Sequence, residues 1–172
     1  QAFITTDLDD NQITAFHPGA MQQAHRTTIA ARDDIRIAII APDGRDAMLQ
    51  HAAQLAAAGI PFVFDPGQGL PMFDGADLKR FIGQASWVAV NDYEARMLTE
   101  RIGTDLPTLS RLPGVQGIVV TLGPDGCDLW RDGRSLRIPG VAAKAVLDPT
   151  GCGDAFRAGL LYGLERGWTL ER

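Results

Sequence analysis

Nine consecutive residues hold the densest chemistry in the sequence: Asp148-Pro149-Thr150-Gly151-Cys152-Gly153-Asp154-Ala155-Phe156. They join the apolar run Ala145-Val146-Leu147, the end of an expected strand, to a stretch that favours helix. Two glycines bracket one small residue, so the backbone can turn successive N–H groups toward a single point. At a helix N-terminus those donors have no intrahelical partner, and the helix dipole favours an anion beside them. A carboxylate at Asp154 would only repel an anion that rested there. It makes sense where a hydroxyl attacks phosphorus and must give up its proton. Read alone, Asp154 serves as well as a simple helix cap, with glycines that only make the turn.

Such a loop needs a frame, and the remaining sequence describes one. Residues 35–41, broken only by Arg36, and residues 62–64, 87–90 and 118–120 are short apolar runs of the kind that form strands covered on both faces. Between and after them lie helix-forming stretches at residues 45–58, 76–84, 92–102 and 154–165, with a weaker one at 107–112. Asp43 is placed to cap the first helix, and Gly59 and Gly103 to close the first and third. Asp132-Gly133, between the strand-like runs Asp128–Trp130 and Leu136–Ile138, signals a hairpin. The alternation predicts an α/β fold with a mostly parallel sheet and helices on both faces. Ligands sit beyond the carboxyl ends of such strands. Asp65-Pro66-Gly67, Asn91 and Thr121-Leu122-Gly123 follow three of them and are expected to share one site. Ahead of this core, the runs Ala2–Thr6 and Gln12–Phe16 flank a turn composition and predict a β-hairpin. Residues 20–31 are expected to form a short helix. Residues 1–34 are thus read as a small β unit with its connection, and residues 35–172 as the core.

The bulk properties narrow the class. At 172 residues, 45% hydrophobic and 22% charged, the composition is that of one globular domain. A net charge of -5 without a basic cluster argues against nucleic acid or an anionic membrane as partner. There is no run of about 18 apolar residues and no basic-then-apolar leader, so a cytoplasmic protein is expected. The chain opens at Gln1 in mid-strand and stops at Arg172 as another helix begins, and it is expected to be an internal piece of a longer protein. Cys127 and Cys152 have neither disulfide nor metal spacing and read as small buried thiols. Cys152 also sits at a helix N-terminus, a place that makes thiols reactive. His17, His25 and His51 show no ligand spacing. Neither a Gly-x-x-x-x-Gly-Lys-Ser/Thr loop nor the protein-kinase motif set occurs.

The nine-residue string resembles the signature of the ribokinase-like, or phosphofructokinase-B type, kinases: Asp-x-Thr-Gly-Ala-Gly-Asp before an Ala/Gly-rich helix, here with Cys152 for the central Ala. The resemblance spans nearly the whole chain. It implies the ribokinase-like three-layer α/β/α fold, with a small β-lid contributed by the first strands. It implies an ATP- and Mg²⁺-dependent kinase in which Asp154 is the catalytic base and the amides of Gly151, Cys152 and Gly153 form the anion hole. Asn91-Asp92-Tyr93-Glu94 resembles the family's Asn-x-x-Glu, in which Glu94 organises Mg²⁺ and phosphate directly or through water. The same four residues also spell a capping box, and the two roles are compatible. Thr121-Leu122-Gly123-Pro124-Asp125-Gly126 resembles the loop over the nucleotide, so Asn91, Thr121, Gly123 and Gly126 are expected on ATP. Asp65 resembles a strand-end carboxylate near the phosphates. Asp148 and the Thr150 carbonyl match part of a monovalent-cation site, which implies K⁺. Residues 10–21, with Asp65 to Pro71 and Asn91 to Glu94, look like bacterial members described as adenosine kinases or sugar kinases. Adenosine is therefore the first expected acceptor and ribose, fructose or a related sugar the second. A nucleotide-binding module without turnover is the reading from another class. Exposed edges on the lid strands make a homodimer a further expectation. Nothing in the residues themselves separates a nucleoside from a free sugar.

Overall fold

The computed structural model describes residues 1–6, 12–29, 34–145 and 150–169. Strands β1 (Ala2–Thr6) and β2 (Gln12–Phe16) pair antiparallel as a separate two-stranded ribbon, with Ala2 opposite Phe16. The core sheet has six strands in sequence order: β3 (Ala38–Ile40), β4 (Phe62–Phe64), β5 (Trp87–Asn91), β6 (Gly117–Thr121), β7 (Cys127–Arg131) and β8 (Arg134–Ile138). The first four run parallel; β7 and β8 return antiparallel.

Helices α1 (Arg45–Ala57), α2 (Gly75–Gln84) and α3 (Asp92–Ile102) occupy the three crossovers. Parallel crossovers are right-handed, and each step here moves one strand along in the same direction, so all three helices fall on one face. There Met48, Leu55, Leu78, Phe81 and Leu98 bury against Phe62, Phe64, Val88 and Ile118. Phe64 stacks on Phe81 with centroids 4.3 Å apart, and Phe73 meets Phe81 edge-on at 5.0 Å. After the single turn α4 (Leu106–Leu109), helix α5 (Cys152–Glu165) covers the opposite face, where Leu160, Leu161 and Leu164 pack on Val63, Trp87, Val119 and Leu129. Alternate residues of the parallel strands thus meet different helix layers, which is why Ala38–Ile40, Phe62–Phe64, Trp87–Val90 and Ile118–Val120 are apolar without interruption. The fold is the three-layer α/β arrangement read from the sequence.

Local chemistry sets the boundaries. Gly103 closes α3 in the left-handed conformation (φ 74°). Asp132 and Gly133 both take positive φ, 51° and 77°, as a two-residue hairpin between β7 and β8 requires. Several expectations shift. β3 is three residues long rather than seven, because its ladder ends where its partner β4 ends. Asp43 does not cap α1: Gly44 is the N-cap residue, and the Asp43 carboxylate accepts the Gly44 amide at 2.7 Å. The early helix is a 3₁₀ segment, Gly19–Arg26, with no fully buried residue; helices persist by burying an apolar face, and this one has little to bury. The stretch at 107–112 shortens to Leu106–Leu109, with Asp105 accepting the Thr108 amide at 2.8 Å. Ala145 is outside any strand, and residues 146–147 of the expected strand end lie outside the described residues.

Candidate functional site

Three strand ends and one helix start converge. β4 delivers Asp65, which is 1% exposed. Its two carboxylate oxygens meet Arg157 of α5: Nη2 donates to Oδ1 at 3.2 Å, and Nε pairs with Oδ2. β5 delivers Asn91, whose side-chain oxygen accepts the Glu94 amide at 2.7 Å while Glu94 Oε2 accepts the Asn91 amide at 2.8 Å. This reciprocal capping box fixes both side chains at the start of α3. β6 delivers Thr121, register neighbour of Asn91 across the parallel pair.

The loop arrives from the other side. Gly151, at φ 80°, is the N-cap of α5, and its carbonyl accepts the Ala155 amide at 2.9 Å. The left-handed turn needs glycine, and it aims the first amides of α5 out of the helix end. Asp154 follows, its side chain 89% exposed, with Oδ1 3.6 Å from Arg157 Nη1. A Cβ on Gly153 would stand 2.6 Å from that same Nη1, so glycine is what lets the guanidinium lie against the loop.

A cavity of about 110 Å³ joins these parts; its walls include Asn91, Glu94, Thr121, Gly153, Phe156 and Arg157. Burial pushes the Asp65 carboxyl up, against the pull of Arg157 and of the Gly67 amide. Burial also raises Glu94, with the Asn91 amide opposing and the charge of Asp65 adding to the rise. Carboxylates held under such strain gain from a nearby cation. Among the described residues no three His, Cys, Asp or Glu side chains cluster closely enough to hold a metal by themselves. Mg²⁺ asks less: one or two carboxylates, with water and phosphate oxygens for the rest. Glu94 on the cavity wall fits that demand. A larger cavity, about 380 Å³, lies between α5 and strands β6–β8 among Val119, Leu129, Ile138, Leu160 and Trp168. No charged side chain lines it, so the chemistry belongs to the smaller one.

The structure therefore brings Asn91, Glu94, Thr121 and Gly153 together, and links Asp65 and Asp154 through Arg157. Gly123 and Gly126 are in the turn after β6, off the cavity wall; Gly123 begins the 3₁₀ turn Gly123–Asp125, and the Gly126 carbonyl accepts the Leu122 amide at 2.9 Å. Thr150 directly precedes Gly151, whereas Asp148 lies outside the described residues. Cys127 is buried as expected, but Cys152 is exposed, because the helix end it occupies faces outward. Arg157 was not anticipated. The signal available was a lone cation in the run Ala155-Phe156-Arg157-Ala158-Gly159-Leu160-Leu161.

The profile of the pfkB family carbohydrate kinases matches residues 1–172. A curated nucleoside kinase of Methanocaldococcus jannaschii is 31% identical over 173 residues, covering 100% of this chain and 56% of that protein. The structure of the Burkholderia thailandensis nucleoside kinase in complex with inosine superposes with a TM-score of 0.94 at 51% identity, covering 99% of this chain and 57% of that one. The same Burkholderia enzyme in complex with ADP-inosine gives 0.88 at 53% identity, covering 96% and 51%. This chain spans about half the length of the relatives it matches.

Proposed function

The chain belongs to the pfkB family of carbohydrate kinases, and from that premise we propose that it moves the γ-phosphoryl group of ATP onto a hydroxyl of a nucleoside, with adenosine the first-ranked acceptor. One observation carries the reading: a carboxylate, Asp154, stands at the helix N-terminus whose loop borders the cavity of Asn91, Glu94 and Thr121. Asp154 takes the proton of the attacking hydroxyl. The amides of Gly151, Cys152 and Gly153 hold the phosphoryl oxygens as charge shifts from acceptor to leaving group. Asn91 and Thr121, with Gly123 and Gly126 in the adjoining turn, serve the nucleotide. Mg²⁺, when bound, neutralises phosphate charge; Glu94 holds it directly or through water. K⁺ held by Asp148 and the Thr150 carbonyl is part of the same proposal, and the dependence of the rate on K⁺ tests it.

The Burkholderia complexes with inosine and ADP-inosine support a nucleoside acceptor and an adenine-nucleotide donor. The test is a phosphorylation screen of the whole protein with Mg²⁺-ATP against adenosine, inosine, other nucleosides, ribose and fructose phosphates. Adenosine turnover is the expected result. Turnover of sugars alone moves the protein to the sugar kinases, and turnover of nothing leaves a binding module. The ribbon β1–β2 exposes Phe3 and Ile13 (63% and 79%), which supports pairing of two copies through it; sedentation of the whole protein by analytical ultracentrifugation tests that.

A further inference from the structure

Arg157 has three nitrogens to offer, and the fold commits two. Nε and Nη2 lie on the two oxygens of Asp65, which fixes the plane of the guanidinium. The third, Nη1, faces the loop beside the place where Gly153 has no side chain. Asp154 Oδ1 is 3.6 Å from it, beyond hydrogen-bond length, on a side chain that is 89% exposed. An exposed contact of that kind contributes little by itself. Asp65, by contrast, is 1% exposed, and a buried ion pair is commonly no more stable than an apolar pair of similar volume. The tether alone therefore gives no reason for a guanidinium here. Arg157 also lines the cavity shared by Asn91, Glu94, Thr121 and Gly153.

Resting on the kinase reading above, we infer that Nη1 of Arg157 donates to an oxygen of the phosphoryl group in transfer, and that Asp65 is the positioning residue that aims it. The guanidinium forms and breaks no covalent bond. It stabilises the charge spread over the phosphoryl oxygens, and because Asp65 holds it in place beforehand, no reorganisation is needed during transfer. The proton still goes from the acceptor hydroxyl to Asp154.

The experiment uses four variants of the whole protein, assayed for kcat and for the ATP KM. Arg157→Met is expected to lower kcat by about 10²-fold, the scale for losing one preorganised donor, with the ATP KM little changed. The double variant Asp65→Asn/Arg157→Met removes both charges together, so that no lone ion is buried. It is expected to melt near the wild type and to keep the low kcat; recovery of wild-type kcat would reduce Arg157 to a tether and overturn the proposal. Arg157→Lys keeps the charge without the fork and covers the case where the methionine variants fold poorly. A lowered kcat in it supports the proposal, and an unchanged kcat ends it. Asp154→Asn separates the two readings. If it is inactive while Arg157→Met is fully active, only the assignment of Arg157 fails; if it is active, the kinase mechanism itself fails.

Discussion

Arg157 on α5 grips both carboxylate oxygens of Asp65 at the end of β4, across 92 residues of sequence. This pair ties the helix carrying the glycine loop to the strand ends that face it. Removing one partner leaves the other charge buried, which costs on the order of 3–5 kcal/mol in comparable pairs. The loop is thus placed by a side-chain contact as well as by the packing of Leu160, Leu161 and Leu164 beneath it.

Asp154→Asn is expected to lower kcat by about 10²-fold or more while leaving ATP affinity and melting temperature near the wild type. Its side chain is exposed, so the fold does not depend on the charge. Turnover and nucleotide titration on the same preparation check this, and full activity in the variant would sink the role of base.

Glu94→Gln is expected to raise stability at neutral pH while weakening the Mg²⁺ dependence of the reaction. Burial raises the folded Glu94 carboxyl above its ordinary value of 4.5. The favourable contribution of the protonated form is therefore complete below pH 4.5 and is lost as pH rises through the higher folded value. Gln removes that loss and still offers an oxygen to the Asn91 amide. Melting curves across pH should coincide for the two proteins at acid pH and separate above it, with the variant more stable.

Asn91→Asp separates capping from nucleotide binding. Aspartate caps a helix as well as asparagine does, whereas alanine costs about 1 kcal/mol. The melting temperature should hold in the aspartate variant. If Asn91 faces the phosphates as proposed, a new negative charge there should raise the ATP KM, and an unchanged KM would remove Asn91 from the nucleotide site.

Cys152 is exposed in the loop and Cys127 is buried. Alkylation of the native protein is expected to modify one thiol and to stop turnover, since the adduct fills the space of the loop amides. Cys152→Ala should keep activity and resist the reagent. Mass spectrometry on the inactivated enzyme locates the adduct.

Much of this architecture is legible locally. The apolar triplet Phe62-Val63-Phe64 is a buried strand wherever it is placed, and the Asn91–Glu94 spacing produces its capping box from four adjacent residues. Asp132-Gly133 turns the chain because both residues tolerate positive φ. The local reading erred where a partner sets the limit. The length of β3 follows β4, and the 3₁₀ segment Gly19–Arg26 buries no residue fully.

The glycine turn and the helix N-terminus at Gly151 are legible in the local sequence, but their setting belongs to the tertiary structure. Residue types and near spacing determine strand, turn, cap and helix N-terminus, since those depend on contacts within a few residues. That Asp65, Glu94, Thr121 and Gly153 crowd one end of the sheet depends on strand order. The placement of Arg157 depends on a contact across 92 residues that no local pattern encodes. Long-range pairing of this kind is decided by which faces are buried together, and only the folded chain brings those faces into contact.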